Sequence, residues 1–163
     1  MSRIAGALLA MLIAASAAAT AGENPLLGTW KLKSYVREVA ATGERYNERG
    51  EHPNGYLAYS ADGRMYAIIT WENRIAPRDV VPTNDERVKL FSTMISYAGT
   101  YTFDAEKVVH HVDISWNQNW TGTEQVRFYK LDGDTLTITS APAKNFTDGC
   151  EGRSILVWER LRP

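Results

Sequence analysis

Cysteine is nearly missing from this sequence. Cys150 is the single one, so no internal disulfide can form and no thiolate metal cage can be built. Histidine is scarce too. His52, His110 and His111 are the only three. His110 and His111 are adjacent in a β-rich run, so they point to opposite faces and cannot easily share an ion. No metal is expected. Neither sign of charge dominates: 18 Lys and Arg face 19 Asp and Glu, for a net charge of −1. With no long basic block, an electrostatic footprint for nucleic acid is excluded. The sequence holds no nucleophile elbow, phosphate loop, dinucleotide fingerprint or paired-carboxylate motif, so no standard enzyme class and no cofactor is expected.

What is present starts with an export signal. Arg3 gives a short basic start, Ile4 to Ala15 is apolar, and Ala19-Thr20-Ala21 supplies small residues for a signal peptidase. The apolar core is too short to span a bilayer comfortably. Residues 1–21 are therefore expected to be a cleaved signal peptide, and the protein to be periplasmic or secreted. No cysteine lies near the cleavage site and no later run is apolar enough to cross a membrane, so no membrane anchor is expected. Residues 24–163 form the folded domain, long enough to bury a core without disulfides.

Turn signals recur between short β-rich runs, the pattern of a sandwich or barrel. Gly28 to Arg37 alternates Trp30, Leu32, Ser34 and Val36 against Lys31, Lys33, Tyr35 and Arg37, which assigns the first set to a core. A polar loop, Ala41 to Pro53, follows. Tyr56 to Tyr59 and Arg64 to Trp71 flank Ser60-Ala61-Asp62-Gly63 as a hairpin. Asn73 to Pro82, with Pro77 and Pro82, reads as a loop. Thr83 to Ser96 reads as the one helix. Thr83 and Glu86 have capping-box spacing, and Val88, Phe91, Met94 and Ile95 line one face.

Further strands are predicted at Thr100 to Phe103, Val108 to Trp116, Glu124 to Leu131, Thr135 to Ser140 and Arg153 to Leu161. About eight strands joined by near-neighbour hairpins predict an all-β fold: an eight-stranded antiparallel up-and-down barrel with one inserted helix. Such a barrel has room for side chains or one small ligand.

These segments, in order, are GTWKLKSY, NGYLAYSADGRM, YAGTYTF, VVHHVDISWNQNWTGTEQVRF, LDGDTLTI and LVWERL. Their sequence and spacing resemble the lipocalin-like domain family of small bacterial and fungal barrel proteins. The resemblance covers essentially the whole domain. It implies a calycin-type barrel with a ligand cavity and assigns no catalytic residue. It also implies that Arg160 packs on Trp30 of the Gly-x-Trp triplet. A guanidinium over an indole has a physical basis of its own.

Two residues are catalytic candidates. His110 shares a face with Val108, Val112, Ile114 and Trp116, which would point it into the barrel. There an imidazole can move a proton, or it can serve as a core histidine bonded to a polar neighbour. Gln125, Arg127 and Tyr129 alternate with Val126 and Phe128, and either set can face inward. If Arg127 does, it can hold a carboxylate or a polarised carbonyl. The family resemblance favours that orientation, because Gly122 to Arg127 is similar to a Gly-x-x-Gln-x-Arg run in the family. Tyr56, Tyr66, Trp71, Tyr101, Trp116, Gln125 and Tyr129 are the ligand-binding candidates, suited to an apolar pocket with a few placed polar groups.

The expected function is binding a small hydrophobic or aromatic molecule, as a monomer or homodimer. A cofactor-free isomerase, cyclase or lyase is the alternative. A filled barrel serving as a structural or interaction module is the third.

Overall fold

The computed structural model describes residues 24–162; the expected signal peptide lies outside them. The strands are β1 (Gly28–Val39), β2 (Arg45–Tyr46), β3 (Asn54–Tyr59), β4 (Arg64–Thr70), β5 (Met94–Phe103), β6 (Lys107–Ser115), β7 (Glu124–Asp132), β8 (Thr135–Ser140), β9 (Ala143–Lys144) and β10 (Glu151–Arg160). Every pairing is antiparallel, in the order β1-β3-β4-β5-β6-β7-β8-β10, and β10 returns to β1. Eight strands thus close a barrel. The two-residue strands β2 and β9 extend it on β1 and β10. Closure leaves no long unpaired edge on those eight strands. No helix of the described residues is long and apolar enough to cross a membrane.

One end of the barrel is filled. Trp30, Met65, Val108, Leu136 and Trp158 are buried there, with Leu26 of the entering segment. The Trp30 indole donates to the Leu26 carbonyl at 2.9 Å. Arg160, the register partner of Trp30, lays its guanidinium 4.1 Å from the Trp30 ring centre and donates to the carbonyls of Leu27 and Pro25.

Two bulges reset which side chains enter the barrel. In β1 the register with β10 shifts between Leu32 and Ser34. Beyond that point the alternation inverts: Tyr35 and Arg37 are buried, whereas Val36 is not. The expected core face of β1 therefore holds only as far as Leu32. In β5 and β6 the register shifts between Ala98 and Gly99, so that Val112 and Ile114 pair with adjacent residues and Asp113 is the extra one. Ile114, expected inside, is exposed on the outer surface. Gly99 makes this bulge possible, since a Cβ there would collide with the carbonyl oxygen of His111.

The helix is shorter than the sequence suggests. Helix α1 spans Asn84–Ser92 and carries the full Thr83–Glu86 capping box. Met94 and Ile95 belong to β5, paired with Thr70 and Ile69. Forming that ladder and burying Ile95 in the barrel outweigh one more helical turn. None of the helix residues is buried, and Val88 and Phe91 stay exposed, so the expected apolar helix face does not reach the core.

Candidate ligand-binding site

The end of the barrel opposite Trp30 is not filled. A partly open cavity of about 290 Å³ lies there. Ile69, Ile95, Tyr97 and Leu156 give it an apolar wall, with Trp120 and Phe146 higher up. Behind these stands an aromatic collar. Trp116 meets Phe146 at 5.5 Å and Trp120 at 5.0 Å between ring centres, and Trp120 meets Tyr97 at 5.4 Å.

Three guanidinium groups line the same cavity. Arg37 is placed there by the β1 bulge, and it donates to the carbonyls of Ala143 at 2.8 Å and Cys150 at 2.9 Å. Arg49 comes from the loop between β2 and β3 and is only 2% exposed. Its guanidinium lies 3.6 Å from the Trp71 ring centre, with Tyr35 at 4.8 Å and Phe146 at 5.3 Å. Its Nη1 is 3.0 Å from the Glu48 carboxylate, but off the hydrogen-bond direction, so the contact is ionic; Nε has no partner. Glu48 also accepts from the Asn145 side-chain amide at 2.5 Å.

Arg127 is the third. It pairs with Val108, and Gln125 pairs with His110. Directly opposed residues share a face of the sheet, so all four point inward, and Phe128 is left exposed. Arg127 donates to the Val126 carbonyl and to the Gln125 side chain, both at 3.1 Å, and it has no acidic partner among the described residues.

His110 is 1% exposed and lies between two tyrosines. Its Nε2 is 2.7 Å from the Tyr59 hydroxyl and its Nδ1 is 2.9 Å from that of Tyr97. A neutral ring has one N–H and one bare nitrogen. One hydroxyl therefore donates to it and the other accepts. Burial, reinforced by the charge of Arg127, pushes its pKa well below the usual histidine value. Burial likewise raises Tyr59 and Tyr97, opposed in both by the charge of Arg127. His110 does not line the cavity, whereas Tyr97 does. The ring is a neutral, doubly bonded core group, not a free imidazole titrating near neutrality.

The other candidates separate into three groups. Gln125 lines the cavity together with Arg127. Trp71 and Trp116 belong to the collar behind it, Trp71 as the platform for Arg49. Tyr101 and Tyr129 point inward but toward the filled end. Tyr101 donates to the Ser60 carbonyl at 3.1 Å, and Tyr129 to that of Asp104 at 2.7 Å. Tyr56 and Tyr66 are on the outer surface, 44% and 51% exposed, because Leu57, Tyr59, Met65 and Ala67 take the inward positions of β3 and β4. They do not touch the cavity.

Tyr35, Arg37, Arg49, Tyr97 and Phe146 escaped the sequence reading. Only Tyr97 has a legible signal, the period-two run Ile95, Tyr97, Gly99 and Tyr101, which the expected helix end at Ser96 and strand start at Thr100 divide. Among the described residues no group of three or more His, Cys, Asp and Glu is placed to hold a metal ion.

Comparison with known proteins adds two findings. Residues 27–161 match the lipocalin-like domain family. A stretch of 87 residues is 29% identical to the 4′-hydroxy-3′-methoxypropiophenone carrier protein of Aspergillus oryzae, covering 48% of this chain and 78% of that relative.

Proposed function

This chain belongs to the lipocalin-like domain family, and from that premise we propose that it is a carrier for one small aromatic or largely apolar molecule, bound in the cavity above Tyr97. The observation that carries this reading is the cavity itself: about 290 Å³, aromatic and aliphatic on its walls, with a few polar groups aimed inward. Ligand pockets begin at about 300 Å³. The occupant is therefore small, a single substituted ring and not a long-chain lipid. The relative named a carrier of a methoxylated aromatic ketone supports the same class.

Carriage fits this interior better than turnover. The one interior histidine is bonded on both nitrogens and lies behind Tyr97. It has no direct approach to a ligand in the cavity and little tendency to take a proton. The signal-like residues 1–21 support carriage outside the cytoplasm.

The test is fluorescence titration of the purified protein, since Trp120 and Trp71 adjoin the cavity and Arg49. A panel of hydroxy- and methoxy-substituted phenyl ketones, acids and amides should give saturable one-to-one quenching for at least one member. Absence of saturable binding across the panel would refute the carrier reading.

A further inference from the structure

We infer that the molecule this cavity takes is an organic anion: an aromatic ring bearing one carboxylate, its oxygens held by Arg127 and Arg49. The inference rests on the carrier reading and narrows it from apolar molecules in general to acids.

The argument is one of charge and of uncommitted donors. Arg37, Arg49 and Arg127 line the cavity. Arg37 is occupied by two carbonyls. Against the three cations stands one buried carboxylate, Glu48, which also serves Asn145. Glu124, the other acid lining the cavity, is an exposed rim residue whose carboxylate lies 3.1 Å from His111 instead. Lys144 adds a further exposed cation at the rim. With Glu48 set against Arg49, the charges of Arg37 and Arg127 on the cavity wall are balanced by no buried acid.

The donors agree with this count. Arg49 is nine-tenths buried and beyond, yet its Nε has no acceptor. Arg127 has only neutral acceptors, one of them a carbonyl of its own chain neighbour. Arg127 is half-buried with no acid beside it, and Arg49 is buried with a donor that its one acid, Glu48, leaves open. Cationic donors so placed are costly to leave unmet, so the site is completed by something negative. A free inorganic anion does not account for Ile69, Ile95, Tyr97 and Leu156 in the same wall. An acid with an aromatic body satisfies both halves.

The experiment compares 4-methoxycinnamate with its amide, which has the same shape and no charge. Calorimetry or fluorescence gives both affinities on the full-length mature protein. Charge-assisted bonds are roughly twice as strong as neutral ones, so the acid should bind at least about tenfold more tightly. Arg127→Gln should bring that ratio to about threefold or less, whereas Arg127→Lys, which keeps the charge, should preserve most of it. Inorganic phosphate at equal concentration should not displace the acid. Equal affinity for acid and amide, or a preference unaffected by Arg127→Gln, overturns the inference and leaves the carrier reading standing. Failure of both ligands and of every other panel member to bind removes the carrier reading and the inference with it.

Discussion

His110 should make the stability of this barrel depend on pH in a window where few other groups act. In the unfolded chain an imidazole takes up a proton near pH 6.5. In the barrel it resists protonation, because it is buried, faces the Arg127 charge and lies between the hydroxyls of Tyr59 and Tyr97. Below about pH 6.5 the unfolded state therefore binds more protons than the folded state, and stability falls as the pH falls. The slope approaches at most about 1.4 kcal/mol per pH unit, so the loss between about pH 7.5 and pH 5 has an upper limit of roughly 2 kcal/mol, reached when the folded ring stays neutral throughout. Depressed carboxylates such as Glu38, Glu86 and Asp104 contribute only at more acid pH, as the pH falls through and below the ordinary carboxylate range.

The assay is urea denaturation at a series of pH values for the wild type and His110→Gln. Glutamine retains one donor and one acceptor for the tyrosines, while His52 and His111 remain in both proteins. The variant should be less stable at neutral pH, and its curve should be flatter over the same window, by up to roughly 2 kcal/mol. Parallel curves for the two proteins would refute the reasoning, since they would mean that His110 is protonated equally in the folded and unfolded states.

Three further outcomes are expected. Trp30→Ala should cost about 3–5 kcal/mol in chemical denaturation, because the indole is fully buried under Arg160; a loss under about 1 kcal/mol would mean that Trp30 does not plug the barrel. Gly99→Ala should cost about 1–3 kcal/mol or more, since its methyl group meets the His111 carbonyl and the backbone must shift; an unchanged urea midpoint would contradict the packing at that bulge. Expression of residues 1–163 in a bacterial host should yield periplasmic protein whose intact mass begins at Gly22, and a mass that includes Met1 would exclude cleavage.

Sequence alone determined the elements whose signals are local. Alternation of period two marks the strands, because successive side chains on a strand point to opposite faces. The Ser60 to Gly63 and Asp132 to Asp134 turns bound two hairpins, and Thr83 with Glu86 starts the helix. The Trp30–Arg160 pair and the inward position of His110 were legible for the same reason. Each depends on a residue's place within its own strand and on the closure that eight strands allow.

Tertiary structure decided the site. A bulge inserts a single residue and leaves little mark in composition, yet it inverts every later side chain of its strand. That inversion turned Tyr35 and Arg37 inward and sent Ile114 out. Arg49 is more remote still from a sequence signal. It lies in a polar loop that reads as solvated, and only the folding of that loop over the barrel mouth lays its guanidinium on Trp71, with Phe146 from another loop beside it. Strand periodicity reports which face a residue takes relative to its neighbours. It carries no information about which loop covers the open end, and that choice placed Arg49, with its unpaired donor, in the wall of the cavity.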